Sequence, residues 1–294
     1  MYVSLDWFSF VNDKFLQFVF LFVIIKRMKQ LLKRDNPIAY CLVPVLVFLL
    51  GRQVVYEFLG MVLQKMQAVS LEGVGILANG LADIVMIPIM AKCFLGVAGN
   101  ETDSLKTIGP GDIGLVCLLG IAYCLAGNGF LQLTGLVRLF EGDYSNTMTA
   151  LYGGTLWMQL FWMGIAAPVA EELVYRKILY GRIREYVGFW KAAAGASLLF
   201  GMTHGFLLQG IYSFLLGMVL CLLRERYYKL YPAIVTHMAA NLCSVVCTFC
   251  VPVQNWLSDK RHFITSTLVS VFVCILIIWE FIRPDVISGG KKKE

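Results

Sequence analysis

Charge is what this sequence has least of. Of its 294 residues only 15% are Asp, Glu, Lys or Arg, 59% are apolar, and the mean hydropathy is +0.72. Soluble domains carry about a quarter charged residues, so these charges are too few to cover a water-soluble globule. A soluble enzyme and a disordered chain are both excluded. Proline is scarce as well, eight in all, which argues against long extended linkers. The nine cysteines lie almost entirely inside apolar runs, and Cys247-Thr-Phe-Cys250 has no second CxxC to accompany it. That pattern is neither a disulfide framework nor a cysteine metal site, and the cysteines read as small apolar helix residues. No GxSxG nucleophile motif and no phosphate-cradling loop occur. No basic face interleaved with aromatic residues offers a nucleic-acid surface. The first residues lack the order of a signal peptide, because their basic residues follow the apolar stretch.

What is present is a series of apolar runs. A helix crosses a bilayer with about 20 apolar residues. Runs of that kind are read at 37–59, 73–98, 112–133, 151–181, 187–208, 210–223, 231–252 and 264–282. This predicts an all-α, polytopic bundle of about eight spans. Residues 7–25 form a weaker apolar stretch, read as interfacial or as a weak first helix. Four clusters of Lys and Arg stand out: Lys26 to Arg34, Arg182 to Lys191, Arg224 to Lys229, and Lys291 to Lys293. With eight spans all four lie on one side, which predicts that both termini are cytoplasmic and that the membrane is the cell membrane. The chain divides into an N-terminal segment 1–36, accessory helices 37–150, a chemistry-bearing core 151–252, and a last helix with a basic tail 253–294.

Ionisable groups inside such runs are costly and point to function. Glu171 and Glu172 stand side by side in Ala-Pro-Val-Ala-Glu-Glu-Leu-Val-Tyr-Arg-Lys. Glu172 has Arg176 four residues on, in the favourable order for a helical ion pair. Glu171 faces about 100° away and has only Tyr175 at that spacing. A carboxylate without a local cation, away from bulk water, suits a general base. Two of the three histidines, His204 and His237, also lie in apolar runs, and Asn241 follows His237 at i+4. Glu171 lies 16 residues before Val187, and His204 lies 16 after Gly188. Both therefore sit about 24 Å from that turn and at one level. His237 is expected about 12 Å in from Lys229. The arrangement leaves a structural bridge at a helix end as the alternative for the three charges near 171.

Glu171-Glu172-x-x-x-Arg176, Phe200-x-x-x-His204 and His237-x-x-x-Asn241, in that order, resemble the three-motif signature of the CPBP family, the CAAX prenyl proteases and bacteriocin-processing enzymes, also called Abi. The resemblance covers 171–241; the N-terminal half carries no matching motif. It implies an all-helical intramembrane endopeptidase, of a family often labelled metalloprotease, in which Glu171 and His204 activate a water and His237 and Asn241 stabilise the oxyanion. Glu172 and Arg176 would support the site, and Phe200 would shape it or fill the core. A zinc ion on Glu171, His204 and His237 is kept open, although the HExxH spacing is absent, and a metal-free water mechanism is slightly preferred. The implied partners are the lipid bilayer and a peptide or lipidated protein substrate, with CAAX-box processing as the leading activity. Bacteriocin or peptide maturation, or self-immunity, is the alternative within the family. Outside it stand a non-catalytic membrane scaffold and a transporter. Asp83 and Arg52 would be the transporter's best residues, otherwise read as a polar contact between helices.

Overall fold

A computed structural model describes residues 34–67, 70–95, 108–142 and 152–282, together with residues 16, 145 and 148. Apart from residue 16, the stretch 7–25 lies outside the described residues, as do the tail lysines. Helix α1 is Pro37–Met66, α2 is Leu71–Phe94, α3 is Pro110–Leu133, and α4 is a single turn, Leu136–Leu139. The next helical run, α5, is composite: Leu156–Phe161, a π-helical stretch Trp162–Ala166, Ala167–Glu172, a second π-helical stretch Leu173–Tyr180, and Gly181–Arg184. Then come α6 (Phe189–Met202), α7 (Leu207–Tyr227), α8 (Tyr231–Phe249), the short α9 (Val251–Ser258) and α10 (Lys260–Phe281). No strand occurs among the described residues. Helices α1, α2, α3, α7, α8 and α10 are each long and apolar enough to cross a membrane. The chain is an all-α, multi-pass integral membrane protein.

The two remaining expected spans differ in form from the other six. The run expected at 151–181 is α5, which begins at Leu156 after extended Thr155. Its first π-helical stretch has a cause in the sequence. Pro168 has no N–H to give the carbonyl four residues back, and its ring crowds that carbonyl. The helix widens over the residues immediately before it. The run expected at 187–208 is α6, which is 14 residues long and stops at Met202. Residues Thr203 to Phe206 are a turn, closed by Gly205 in the left-handed region at φ 59°, where glycine is the residue without a steric penalty. At about 1.5 Å per residue α6 is about 21 Å long, too short to cross a bilayer core of about 30 Å, so the turn falls part-way along the neighbouring helices, with Thr203 and Gly205 exposed and His204 half-buried. The reading that placed His204 inside a helix is corrected accordingly.

Close backbone approach holds the α6–α7 hairpin together. A Cβ on Gly201 would come within 2.6 Å of the Gly210 carbonyl, so only glycine fits. Small residues at such seams are the usual means of packing helices where lipid offers no hydrophobic drive. The α5 run is the hub of the bundle, in contact with α1 and α2 on one side and with α6, α7 and α8 on the other.

The basic end of the bundle is sealed. Arg182, the first residue of the second basic cluster, is buried and donates to the carbonyls of Tyr40 and Phe94. It joins α1 and α2 to α5 there. Tyr180 donates to Glu225, which also pairs with Arg184 at 2.9 Å.

Candidate active site

The groups that the sequence singled out meet at one cavity of about 620 Å³, lined by Glu171, Phe200, His204, His237 and Asn241. Its other walls come from Phe48, Leu49 and Arg52 of α1, Asn79 of α2, Asn128 and Leu131 of α3, the start of α5, Gly205 and Phe206, and Leu208, Gln209, Tyr212 and Ser213 of α7. These are the middle of α1 and α2, the late part of α3 and the early part of α5 and α7. The cavity therefore occupies the half of the bundle away from the sealed basic end.

Glu171 and Glu172 occupy the α-helical turn between the two π-helical stretches. Their side chains diverge as a helix requires. Glu171 reaches the cavity and is 20% exposed, whereas Glu172 is 0% exposed. Glu172 Oε1 accepts from Arg176 at 2.8 Å, the pair predicted by the i, i+4 spacing. It also accepts from Nδ1 of His237 at 2.9 Å. Glu172 Oε2 and one terminal nitrogen of Arg176 have no hydrogen-bond partner among the described residues.

Because a carboxylate accepts, Nδ1 of His237 carries the proton in that bond. Its Nε2 is then turned to Glu171, 3.8 Å from Oε2. His204 is oriented by a different device. The end of α6 leaves carbonyls without helical partners, and Nδ1 of His204 lies 2.7 Å from the Phe200 carbonyl. Thr203 Oγ1 donates to the same oxygen at 2.8 Å. Nδ1 of His204 is thus the protonated nitrogen, and Nε2 keeps its lone pair. In both imidazoles a hydrogen bond to the far nitrogen fixes the tautomer.

Phe200, buried in the core, is the surface on which both rings rest. Its ring is 4.4 Å from that of His204 and 5.9 Å from that of His237, edge to face in each case. The Arg176 guanidinium lies over it at 4.1 Å, and Tyr175 meets it at 5.0 Å. One side chain therefore touches His204, His237, Arg176 and Tyr175. Asn241 donates to the Met163 carbonyl at 2.9 Å, within the first π-helical stretch. Its second N–H remains for another acceptor.

Neutral imidazole nitrogens and a carboxylate are donors of the type zinc accepts. The side chains do not form such a set here. Among the described residues no three His, Cys, Asp or Glu groups converge as a metal site.

Some lining residues were not singled out in the sequence. Tyr175 shares the face of Glu171 at i+4, a signal that was visible, and its hydroxyl bonds Thr203 Oγ1 at 3.0 Å. Trp162 and Gln209 carried no signal of their own. Arg52 and Asp83, read as a contact between helices, are that contact. The guanidinium binds the carboxylate through Nε at 2.6 Å and through a terminal nitrogen at 3.3 Å. Arg52 also lines the cavity.

Comparison with known proteins bears on the same segment. Residues 153–243 match the family described as type II CAAX prenyl endopeptidase Rce1-like. This agrees with the resemblance read from the three motifs. A protein of Bacillus subtilis (strain 168), named "Putative membrane peptidase YdiL", is 28% identical over 96 residues. That match takes in 33% of this chain and 39% of the relative. No solved structure matches.

Proposed function

We propose that this protein is an intramembrane endopeptidase that hydrolyses a peptide bond of a membrane-associated, peptide or lipidated, substrate with a water activated by Glu171 and His204. The observation that carries the reading is the placement of Glu171, the one carboxylate of the pair that reaches the cavity, 3.8 Å from the His237 imidazole and on the same cavity as that of His204, the Nδ1 proton of each ring being already committed. Water held by Glu171 and by Nε2 of His204 is polarised from both sides. As its oxygen attacks the carbonyl carbon, Glu171 takes the proton. The oxyanion that forms is met by the second N–H of Asn241 and, when Nε2 of His237 carries a proton, by that N–H. Glu171 then returns its proton to the departing nitrogen as the carbon–nitrogen bond breaks.

Glu172 and Arg176 support this indirectly, since their ion pair holds Nδ1 of His237. Phe200 keeps the two rings in register. A cavity of this size accommodates a short extended segment but no folded domain. It therefore suits cleavage near a chain end or in an unfolded stretch, as CAAX processing requires. A prenylated CAAX peptide library offered to the purified protein in detergent tests the reading, with products identified by mass and with chelator present in a parallel series. A defined cleavage site lost in Glu171→Ala and His204→Ala supports it. Cleavage that survives both substitutions would overturn it. Chelator sensitivity reversed by zinc would give the metal a role.

A further inference from the structure

Arg52 and Asp83 are left unused by the chemistry above, and their geometry is unusual for a plain helix contact. Asp83 is 1% exposed, while Arg52 is 25% exposed and borders the cavity shared with Glu171. The carboxylate takes the inner edge of the guanidinium and also accepts the indole N–H of Trp162 at 3.2 Å. Three elements, α1, α2 and α5, thus fix one cation in place. A guanidinium carries five N–H donors in a rigid fork. Asp83 takes one N–H from each of two nitrogens, which leaves three N–H donors on a side chain that borders the cavity. An arginine anchored from behind and open in front is suited to planar, two-point recognition of a carboxylate.

We propose that Arg52, oriented by Asp83 and Trp162, is a subsite for a carboxylate of the peptide bound in this cavity. The inference rests on the peptidase reading for the identity of the ligand. The cavity is too small for a long product segment, so the carboxylate belongs to a residue close to the cleaved bond. Either the α-carboxylate of a chain end or an Asp or Glu side chain supplies the chemistry.

Binding separates this inference from catalysis. Fluorescently labelled peptides of one sequence are titrated against the full chain carrying Glu171→Gln, which prevents turnover. One peptide ends as the free acid, one as the amide, and one as the amide with an acidic side chain near its end. The expected ratio of affinities, acid over amide, is about tenfold, the size of one charge-assisted hydrogen-bond contact. Recovery of affinity in the third peptide identifies a side chain as the source; its absence identifies the chain end. Arg52→Gln brings the acid-to-amide ratio near one. Since that variant leaves Asp83 buried without its cation, the double variant Arg52→Gln/Asp83→Asn is the second test, and the ratio collapses there too. A purely structural pair would weaken acid and amide alike and preserve the ratio. Equal affinities in the parent, or an unchanged ratio in the double variant, would overturn the subsite. Failure of the peptidase reading would show instead as absent cleavage by the wild type, whatever these ratios are.

Discussion

Glu172→Gln removes one charge from an ion pair whose members are 0% and 1% exposed, and keeps the side chain's shape. The glutamine oxygen can still accept from Arg176 and His237, so the change isolates charge. Removing one partner of a buried pair typically destabilises by about 3–5 kcal/mol, because the other is left without compensation. Here the glutamine oxygen keeps both hydrogen bonds, which places the loss at the low end of that range. A net effect of roughly 3 kcal/mol follows. For chains of this size each kcal/mol moves the unfolding midpoint by about 2–4 °C, which predicts a fall of about 6–12 °C in detergent. Glu172→Gln/Arg176→Met removes both charges and approximates the arginine stem. Replacing both partners by groups of similar shape is nearly neutral, so the double variant should unfold within about 1 kcal/mol of wild type. A single variant as stable as wild type, or a double variant no better than the single, would refute the claim that this pair is buried and mutually compensating.

Phe200→Leu keeps the core filled, at about 1 kcal/mol, but removes the ring on which both imidazoles rest. Cleavage should fall at least tenfold, by roughly 1.4 kcal/mol or more, while the midpoint falls by only a few degrees, from lost packing and the lost ring beneath Arg176. Gly120→Val should lower the midpoint and the yield of folded protein: its Cβ would stand 2.3 Å from the Thr236 carbonyl, a backbone contact that cannot give way, at about 1–3 kcal/mol or more. If the basic clusters are cytoplasmic, a membrane-impermeant thiol reagent should label Asn255→Cys in intact cells, and Lys191→Cys only after permeabilisation, both read over the native cysteines. The reverse pattern would invert the assigned orientation.

Much of this arrangement was visible before the structure, because it is local. The Glu172–Arg176 pair follows from spacing on one helix, and the apolar runs follow from hydropathy. The bond between Glu172 and His237 joins residues 65 apart in sequence, and it depends on how α5 and α8 are rotated about their axes. Spacing carries no information on that. The turn at Thr203 to Phe206 was hidden for another reason. The residues on either side of it are apolar, so the run reads as uninterrupted helix, while Thr203 and His204 both bond the Phe200 carbonyl at the end of α6; Gly205 was the only mark of the break. Pro168 marked the widened helix but not its consequence, which is the carbonyl of Met163 that holds Asn241. Arg52 was legible as a costly intramembrane charge. That it faces the same cavity as Glu171 emerges only when α1 is packed against α5.

The account stands most directly on Glu171. The decisive measurement is kcat/KM of Glu171→Gln against wild type on one defined cleavable peptide, with the unfolding midpoint of each protein recorded alongside. Loss of a general base predicts a fall of about 100-fold or more with the fold retained. A Glu171→Gln protein that cleaves at the wild-type rate would contradict the central claim.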